Sequence, residues 1–151
     1  MSAPRNIRTT FGFYPPEGNE AAWQASLETF TSAVERAFPG AVLEPRVEPM
    51  RGTNVLDFDI ELAPDVWVTG TTAMPSPDYA YITLGNVTAD EAALFAQWLR
   101  DSYVPSPACV RFISSAAMEV GEENPWPLPA TGDAGAIEAV MRDHLAAAGV
   151  E

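Results

Sequence analysis

Three carboxylates stand at alternate positions in the stretch NVLDFDIELAPDVWV, residues 54–68. Apolar residues separate Asp57, Asp59 and Glu61, so a β-strand would place all three on one face at a spacing of about 6.6–6.8 Å. Neighbouring carboxylates at this spacing could bind a divalent cation or act as an acid/base pair. The same alternation is typical of a strand with one solvated face, and such an acidic face could also dock a protein. The sequence leaves these alternatives open.

A metal ion would need further ligands from other segments. Asp65 follows the predicted turn, and Glu44 and Glu48 lie on a neighbouring predicted strand. The chain has a single histidine, His144, and a single cysteine, Cys109. These counts exclude a multi-histidine or multi-cysteine zinc site and any intramolecular disulfide. We therefore predict no metal centre and no cofactor.

The remaining signatures of catalysis are also missing. His144 is predicted on the last helix near its C-terminus, where an imidazolium would interact favourably with the helix dipole, and we interpret it as structural. Cys109 lies in an apolar run that is typical of a small buried side chain. All eight cations are arginines, so a P-loop lysine and a Schiff-base lysine are excluded. The sequence therefore favours a non-catalytic protein.

The charge is strongly negative and unevenly distributed. The net charge is −13, and residues 56–151 carry three arginines against fifteen acids, a balance of −12. Such a surface repels phosphate backbones and anionic lipids, which argues against nucleic-acid and membrane partners, but it attracts a basic protein. The N-terminal stretch MSAPRNIRTT has no apolar core of a secretory signal, so we expect a cytoplasmic location.

Hydrophobic periodicity predicts the elements that would position these residues. Strands are expected at 7–14, 42–49, 54–63, 66–73, 79–87 and within 108–120. Helices are expected from an Asn19 cap to Phe38, from a capping box at Thr88 and Glu91, and over about 134–148. The predicted order is β-α-β-β-β-β-α-β-α.

This order indicates the α+β class. Consecutive strands with hairpin-length connections predict an antiparallel sheet of about five to six strands, with two to three helices packed on one face. Pro45 and Pro49 assign the 42–49 strand to an edge of the sheet. We expect a single domain over residues 1–151, with a proline-rich strap at about 121–132 before the last helix.

Two tryptophans complete the candidate site. Trp67 is predicted on the sheet face that the helices leave uncovered. Trp126, between two prolines, is expected outside regular structure, where it either closes the edge of the core or projects outward. Exposed tryptophans commonly anchor interfaces. We therefore predict a cytoplasmic interaction domain that docks a basic partner. The predicted partner-binding residues are Asp57, Asp59, Glu61, Trp67 and Trp126.

A toxin-neutralising immunity or antitoxin-like inhibitor would be one such protein. The alternative is a small-ligand-binding protein or a carboxylate-dependent hydrolase with a pocket between the sheet and the helices. Phe11, Phe13, Tyr79 and Tyr81 would line that pocket, and it would contain at least one carboxylate. A third possibility is an interaction subunit or homodimer built on an exposed sheet edge.

Overall fold

The computed structural model describes residues 7–150, so the first six residues, on which the expectation about a secretory signal partly rests, lie outside the described part. Among the described residues, seven strands form one antiparallel sheet, and four α-helices accompany it. The strands are β1 (Thr9–Tyr14), β2 (Val42–Val47), β3 (Asn54–Ala63), β4 (Val66–Ser76), β5 (Tyr79–Val87), β6 (Arg111–Ser114) and β7 (Trp126–Pro127). The helices are α1 (Leu27–Ala37), α2 (Ala89–Trp98), α3 (Ser115–Glu119) and α4 (Ala134–Ala147). The predicted α+β class is confirmed, with slightly more elements than expected.

The strand order is β2-β3-β4-β5-β1-β6-β7, and every neighbouring pair is antiparallel. The four consecutive strands β2 to β5 form the predicted meander, with β2 at the edge. The first strand is inserted between β5 and β6, a long-range pairing that the local sequence does not indicate. No helix in residues 7–150 is long and apolar enough to cross a membrane.

The helices cover one face of the sheet, and the core lies between the two layers. Phe58 of β3 is 2% exposed. Its ring lies 5.4 Å from that of Phe30 on α1 and 6.0 Å from that of Phe95 on α2, measured between centroids. Gly70, directly opposite on β4, leaves room for this ring, because a Cβ there would collide with it. Burial of each such side chain stabilises the fold by about 1.5–3 kcal/mol.

Helix α1 begins later than predicted. The expected start at Asn19 is wrong, because the chain from there to Gln24 forms turns and Gln24 itself has a left-handed φ of 50°. The actual N-cap is Ser26, whose hydroxyl accepts from the Thr29 N–H at 3.0 Å in a capping box. Helical spacing thus continued into a segment that is not helical.

The turn before α1 still contributes to the core. Trp23 is 3% exposed, and its indole Nε1 donates to the backbone oxygen of Cys109 at 2.7 Å. Cys109 is also buried, and its Sγ donates to the oxygen of Ser106 at 2.8 Å. Burial raises the pKa of the Cys109 thiol, which keeps it protonated at neutral pH. The cysteine therefore packs as a small apolar side chain.

The segment 108–120 is not one strand. Its strand ends at Ser114, and the next residues form the short helix α3. The Ser114 hydroxyl accepts from the Ala117 N–H at 3.1 Å and so caps this helix. Ser, like other residues that bond their own backbone, favours such helix starts.

The proline-rich strap is fixed to the sheet and to the end of α2. Trp126 lies in β7, which corrects the expectation that it is outside regular structure; an edge strand tolerates the flanking prolines because only one side needs donors. After α2, residues Leu99–Tyr103 form a π-helical turn. Arg100 of this turn is buried and donates to the oxygens of Pro129 at 3.0 Å and Gly132 at 2.6 Å.

Candidate functional site

The face of the sheet opposite the helices, here called the open face, carries the predicted site. Residues directly opposite each other on paired strands share a face, so the register identifies the open-face side chains. The polar and aromatic ones include Glu44 and Arg46 of β2, Asp57, Asp59 and Glu61 of β3, Trp67, Thr69 and Thr71 of β4, Tyr79, Tyr81 and Thr83 of β5, Tyr14 of β1 and Arg111 of β6. The open face is therefore acidic on β3 and aromatic on β5 and β1.

Local donors hold the carboxylates of the acidic row, Asp57, Asp59 and Glu61. Arg46 Nε donates to Asp57 Oδ2 at 2.6 Å, and Thr71 Oγ1 donates to Asp57 Oδ1 at 3.0 Å. The Arg46 hydrogen bond holds the pKa of Asp57 below its ordinary value. Asp59 accepts from Thr69 Oγ1 at 2.5 Å. These contacts fix two carboxylates in defined positions on the surface.

Glu61 and Trp67 lie opposite each other at the turn between β3 and β4. One oxygen of Glu61 accepts from the backbone N–H of Asp65 at 3.2 Å, which supports the left-handed turn residue Asp65, with a φ of 62°. The Trp67 side chain is 52% exposed on the open face. Four of the five predicted residues therefore lie on this surface: Asp57, Asp59, Glu61 and Trp67.

Trp126 is not brought to this surface. It pairs with Phe112 near the far edge of the sheet and lies on the helix-covered face. Its ring centroid is 5.0 Å from that of His144 and 6.5 Å from that of Phe112. Of the two alternatives drawn from the sequence, Trp126 closes the edge of the core.

The positions of the acidic side chains decide whether they could bind a metal cation. Within residues 7–150, no group of three or more His, Cys, Asp or Glu side chains is placed to hold a metal ion. The carboxylates of the acidic row are instead engaged by threonine, arginine and backbone donors. The geometry of the row suits recognition of cationic side chains, which can share carboxylate oxygens that already accept one hydrogen bond.

A group of tyrosines on the open face was not anticipated as a unit. Tyr14 stacks on Tyr81 with ring centroids 5.7 Å apart, and Tyr79 lies 5.8 Å from Tyr81. We call these three residues the tyrosine cluster. A Cβ at Gly12 would lie 2.6 Å from the Tyr14 hydroxyl, so the ring lies over this glycine. Burial raises the pKa of Tyr14 and of Tyr79, which keeps both hydroxyls protonated at neutral pH.

A cleft of about 680 Å³ lies between Tyr81 and the loop that joins β2 to β3. Its floor is formed by Val55 and Ala73, which are 4% and 5% exposed. Met50 on the loop wall is 90% exposed, an unusual position for a large apolar side chain. We call this space the Tyr81 cleft.

The carboxylate that lines the Tyr81 cleft is used to hold the loop. Glu48 accepts from the N–H of Met50 at 2.8 Å and from the N–H of Arg51 at 2.9 Å. These backbone hydrogen bonds lower the pKa of Glu48 below its ordinary value. A general acid needs the opposite shift. Glu48 therefore supports the loop and is not suited to acid catalysis at neutral pH.

Ser114 and His144 form a hydrogen-bonded pair that the sequence did not reveal. His144 Nε2 accepts from the Ser114 N–H at 3.2 Å and lies 3.1 Å from the Ser114 hydroxyl. A serine nucleophile must be reached by its substrate, but the two residues are 0% and 1% exposed. Burial lowers the pKa of His144, which favours the neutral ring over the imidazolium at the end of α4.

The ligand pocket predicted between sheet and helices does not have the expected lining. Phe11 and Phe13 are fully buried on the covered face, whereas Tyr79 and Tyr81 lie on the open face. The sheet itself separates the two pairs, so one pocket cannot be lined by all four. The prediction of that lining was wrong because Phe11 and Phe13 pair with Leu84 and Ile82, and the tyrosines of β5 alternate with these residues to the opposite face.

No protein-family model matches this chain, and no curated protein and no solved structure shows significant similarity to it. The geometry of the open face is therefore what supports a function.

Proposed function

We propose that this chain is a non-catalytic protein-interaction domain that docks a basic protein through the acidic end of its open face. The observation that supports the proposal is the row of Asp57, Asp59 and Glu61 beside the exposed Trp67, on the sheet face that the helices leave uncovered. An immunity or antitoxin-like protein that neutralises a basic toxin would be one member of this class.

Charge supports the attraction between the two proteins. The acidic row lies in the part of the chain, residues 56–151, that carries a balance of −12. A concentrated negative field speeds the encounter with a positive surface and disfavours acidic competitors.

Rigidity supports the affinity of the docked state. Thr69 and Thr71 already hold the carboxylates of Asp59 and Asp57, so these side chains lose little freedom when a partner binds. Trp67 provides a large, partly exposed aromatic surface next to Glu61, and such residues contribute much of the energy of interfaces. Together they form a preorganised charged surface with one apolar anchor.

Salt-dependent capture tests the proposal. The full chain would be immobilised and exposed to lysate at low and at high salt, beside the variant Asp57→Asn/Asp59→Asn/Glu61→Gln. We expect the wild type to retain a basic protein that high salt releases, because salt screens exposed charges. The purified partner should bind the variant at least about tenfold more weakly, a difference of about 1.4 kcal/mol.

A matched variant separates the acidic row from net charge. Glu35→Gln/Glu119→Gln/Glu123→Gln removes the same charge at three exposed positions away from the open face. This control should retain the partner as the wild type does, and circular dichroism would confirm that both variants are folded. Equal weakening by both variants, or binding that salt does not change, would contradict the proposal.

A further inference from the structure

We propose that the Tyr81 cleft receives one aromatic side chain of the same basic partner, at the end of an extended segment with cations at every second position. The inference rests on the proposed function and adds the chemistry of the partner's contact segment. Three features carry it: the continuity of the cleft with the acidic row, the composition of its walls and its charge.

The cleft and the acidic row form one surface. Val55, on the floor of the cleft, precedes Asp57 by two residues on the same face of β3, and Ala73 is its direct partner on β4. Residues two apart along a strand are separated by about 6.6–6.8 Å. Val55, Asp57, Asp59 and Glu61 therefore present one apolar position followed by three carboxylates at a constant spacing. An extended segment with an aromatic residue followed by three alternate cations has the same spacing.

The walls of the cleft suit an aromatic occupant. Tyr81 forms one wall. Its ring is held in place by the stacked ring of Tyr14 and by the tilted ring of Tyr79. Met50 forms part of the other wall, and its flexible thioether can adapt to a ring. The cleft volume of about 680 Å³ is within the range of about 300–1,000 Å³ that is typical of ligand pockets.

The charge around the cleft differs from that of the row. Its lining contains one acid, Glu48, and one cation, Arg51, and the Glu48 oxygens accept from the loop backbone. The cleft is therefore close to neutral, whereas the row beside it is acidic. An uncharged aromatic ring fits the first region, and cations fit the second, because charge complementarity discriminates between partners.

A synthetic peptide tests this arrangement. The probe is Trp-Ser-Arg-Ser-Arg-Ser-Arg with blocked ends and a fluorescein label, titrated into the full chain at low salt and followed by fluorescence anisotropy. We expect at least about fivefold weaker binding when alanine replaces the tryptophan. A peptide of the same composition with its three arginines adjacent should also bind more weakly, because only alternate arginines match the strand spacing.

Variants of the Tyr81 cleft test whether the stronger binding of the tryptophan peptide depends on this cleft. Tyr81→Ala should remove the difference between the tryptophan and alanine peptides, whereas the matched Tyr81→Phe should keep it. Met50→Ser alters an almost fully exposed side chain, so it leaves the core intact and provides a second test if Tyr81→Ala does not fold. It should reduce the preference for tryptophan.

The outcomes separate the two proposals. The tryptophan and alanine peptides could bind equally, with an affinity that depends on salt and is lost in Asp57→Asn/Asp59→Asn/Glu61→Gln. That result would overturn the inference about the cleft and would still support docking at the acidic row. If that variant still preferred the tryptophan peptide and bound it with the wild-type affinity, docking at the acidic row would be overturned. The result would support an aromatic site in the Tyr81 cleft alone. Absence of binding by every peptide would overturn the inference, whereas the capture experiment would still decide the proposed function.

Discussion

The two faces of strand β3 differ in what holds their side chains in place. Phe58 on the covered face is fixed by packing against rings of α1 and α2. Its neighbour Asp59, on the open face, is fixed by one hydrogen bond from Thr69. The covered face therefore determines the stability of the fold, whereas the open face can carry a binding surface whose substitution costs little stability.

The open face itself has two parts with different origins. The acidic row comes from three alternate residues of one strand, so it exists wherever β3 is a strand. The tyrosine cluster joins Tyr14 of β1 to Tyr81 of β5, and it exists only because the first strand lies beside the fifth. The first part is a local property of the sequence and the second a property of the topology.

The largest difference between the faces should appear on replacing two adjacent residues with alanine. Phe58→Ala should lower the free energy of unfolding by about 3–5 kcal/mol, because it removes packing and leaves a cavity. Asp59→Ala should change it by no more than about 1 kcal/mol, because it removes one exposed hydrogen bond. Urea unfolding followed by circular dichroism measures both. Similar losses from the two variants would show that the faces do not differ in this way.

Two glycines, Gly70 on β4 and Gly85 on β5, allow a second comparison of the covered face with the open face. Gly70→Ala should cost about 1–3 kcal/mol, because the new methyl group meets the Phe58 ring on one side and the Thr83 backbone oxygen at 2.7 Å. Gly85→Ala should be neutral or slightly stabilising, because its nearest neighbour is the Thr69 oxygen at 4.0 Å and its backbone needs no left-handed φ. Thermal unfolding of the two variants would give the order, and a more damaging Gly85→Ala would contradict it.

As the pH falls, the stability contributed by the covered side should decrease at a higher pH than the stability contributed by the acidic row. The pKa of His144 is lowered by burial. As the pH falls, this residue is therefore protonated in the unfolded chain before it is protonated in the folded chain. Stability from this residue is complete above the unfolded pKa of about 6.5 and decreases as the pH falls below it. The depressed pKa of Asp57 affects stability only at lower pH, below its ordinary value of 3.8.

His144→Gln should remove the first of these pH effects. The free energy of unfolding would fall by about 1–3 kcal/mol at pH 8, because the buried N–H and hydroxyl of Ser114 lose the hydrogen-bond acceptor His144 Nε2. Between about pH 6.5 and 5, the variant should lose less stability than the wild type. Urea midpoints at a series of pH values measure this, and parallel curves for the two proteins would contradict the assignment to His144. Glu122 is the charged group that opposes the shift, so Glu122→Gln should strengthen the effect.

Much of the fold could be predicted because it is encoded locally. The strand expected at 54–63 is found at Asn54–Ala63, and the capping box of Thr88 and Glu91 opens α2 as expected. The alternation of β3 also placed the acidic row on one face, and that of β4 placed Trp67 on the same face as Thr69 and Thr71. These features depend on periodicity and on residues three or fewer positions apart.

The features that were missed depend on distant contacts or on a single backbone angle. The start of α1 was wrong because the left-handed Gln24 interrupts an otherwise helical pattern. The Ser114–His144 pair joins residues 30 positions apart, and a lone histidine beside an apolar stripe was the only local signal of it. The stacking of Tyr14 on Tyr81 could have been predicted only if the order of the strands had been known.

A small effect on stability is also expected at Arg46, which pairs with Asp57 at the edge of the acidic row. Arg46→Gln should change the free energy of unfolding by no more than about 1 kcal/mol, because exposed ion pairs contribute little. It should nevertheless strengthen partner binding severalfold at low salt, since it removes the arginine that pairs with Asp57. Stopped-flow association with the purified partner would show the gain in the association rate.

Arg36→Gln is the matched control, because it removes an exposed arginine from α1 on the covered side and changes the net charge equally. It should leave the association rate close to that of the wild type. If Arg36→Gln accelerated association as much as Arg46→Gln, the partner would respond to net charge alone. If neither variant changed the rate, Asp57 would belong to the solvated side of a strand and not to a docking surface. A gain specific to Arg46→Gln that disappears at high salt would locate the contact at the acidic row.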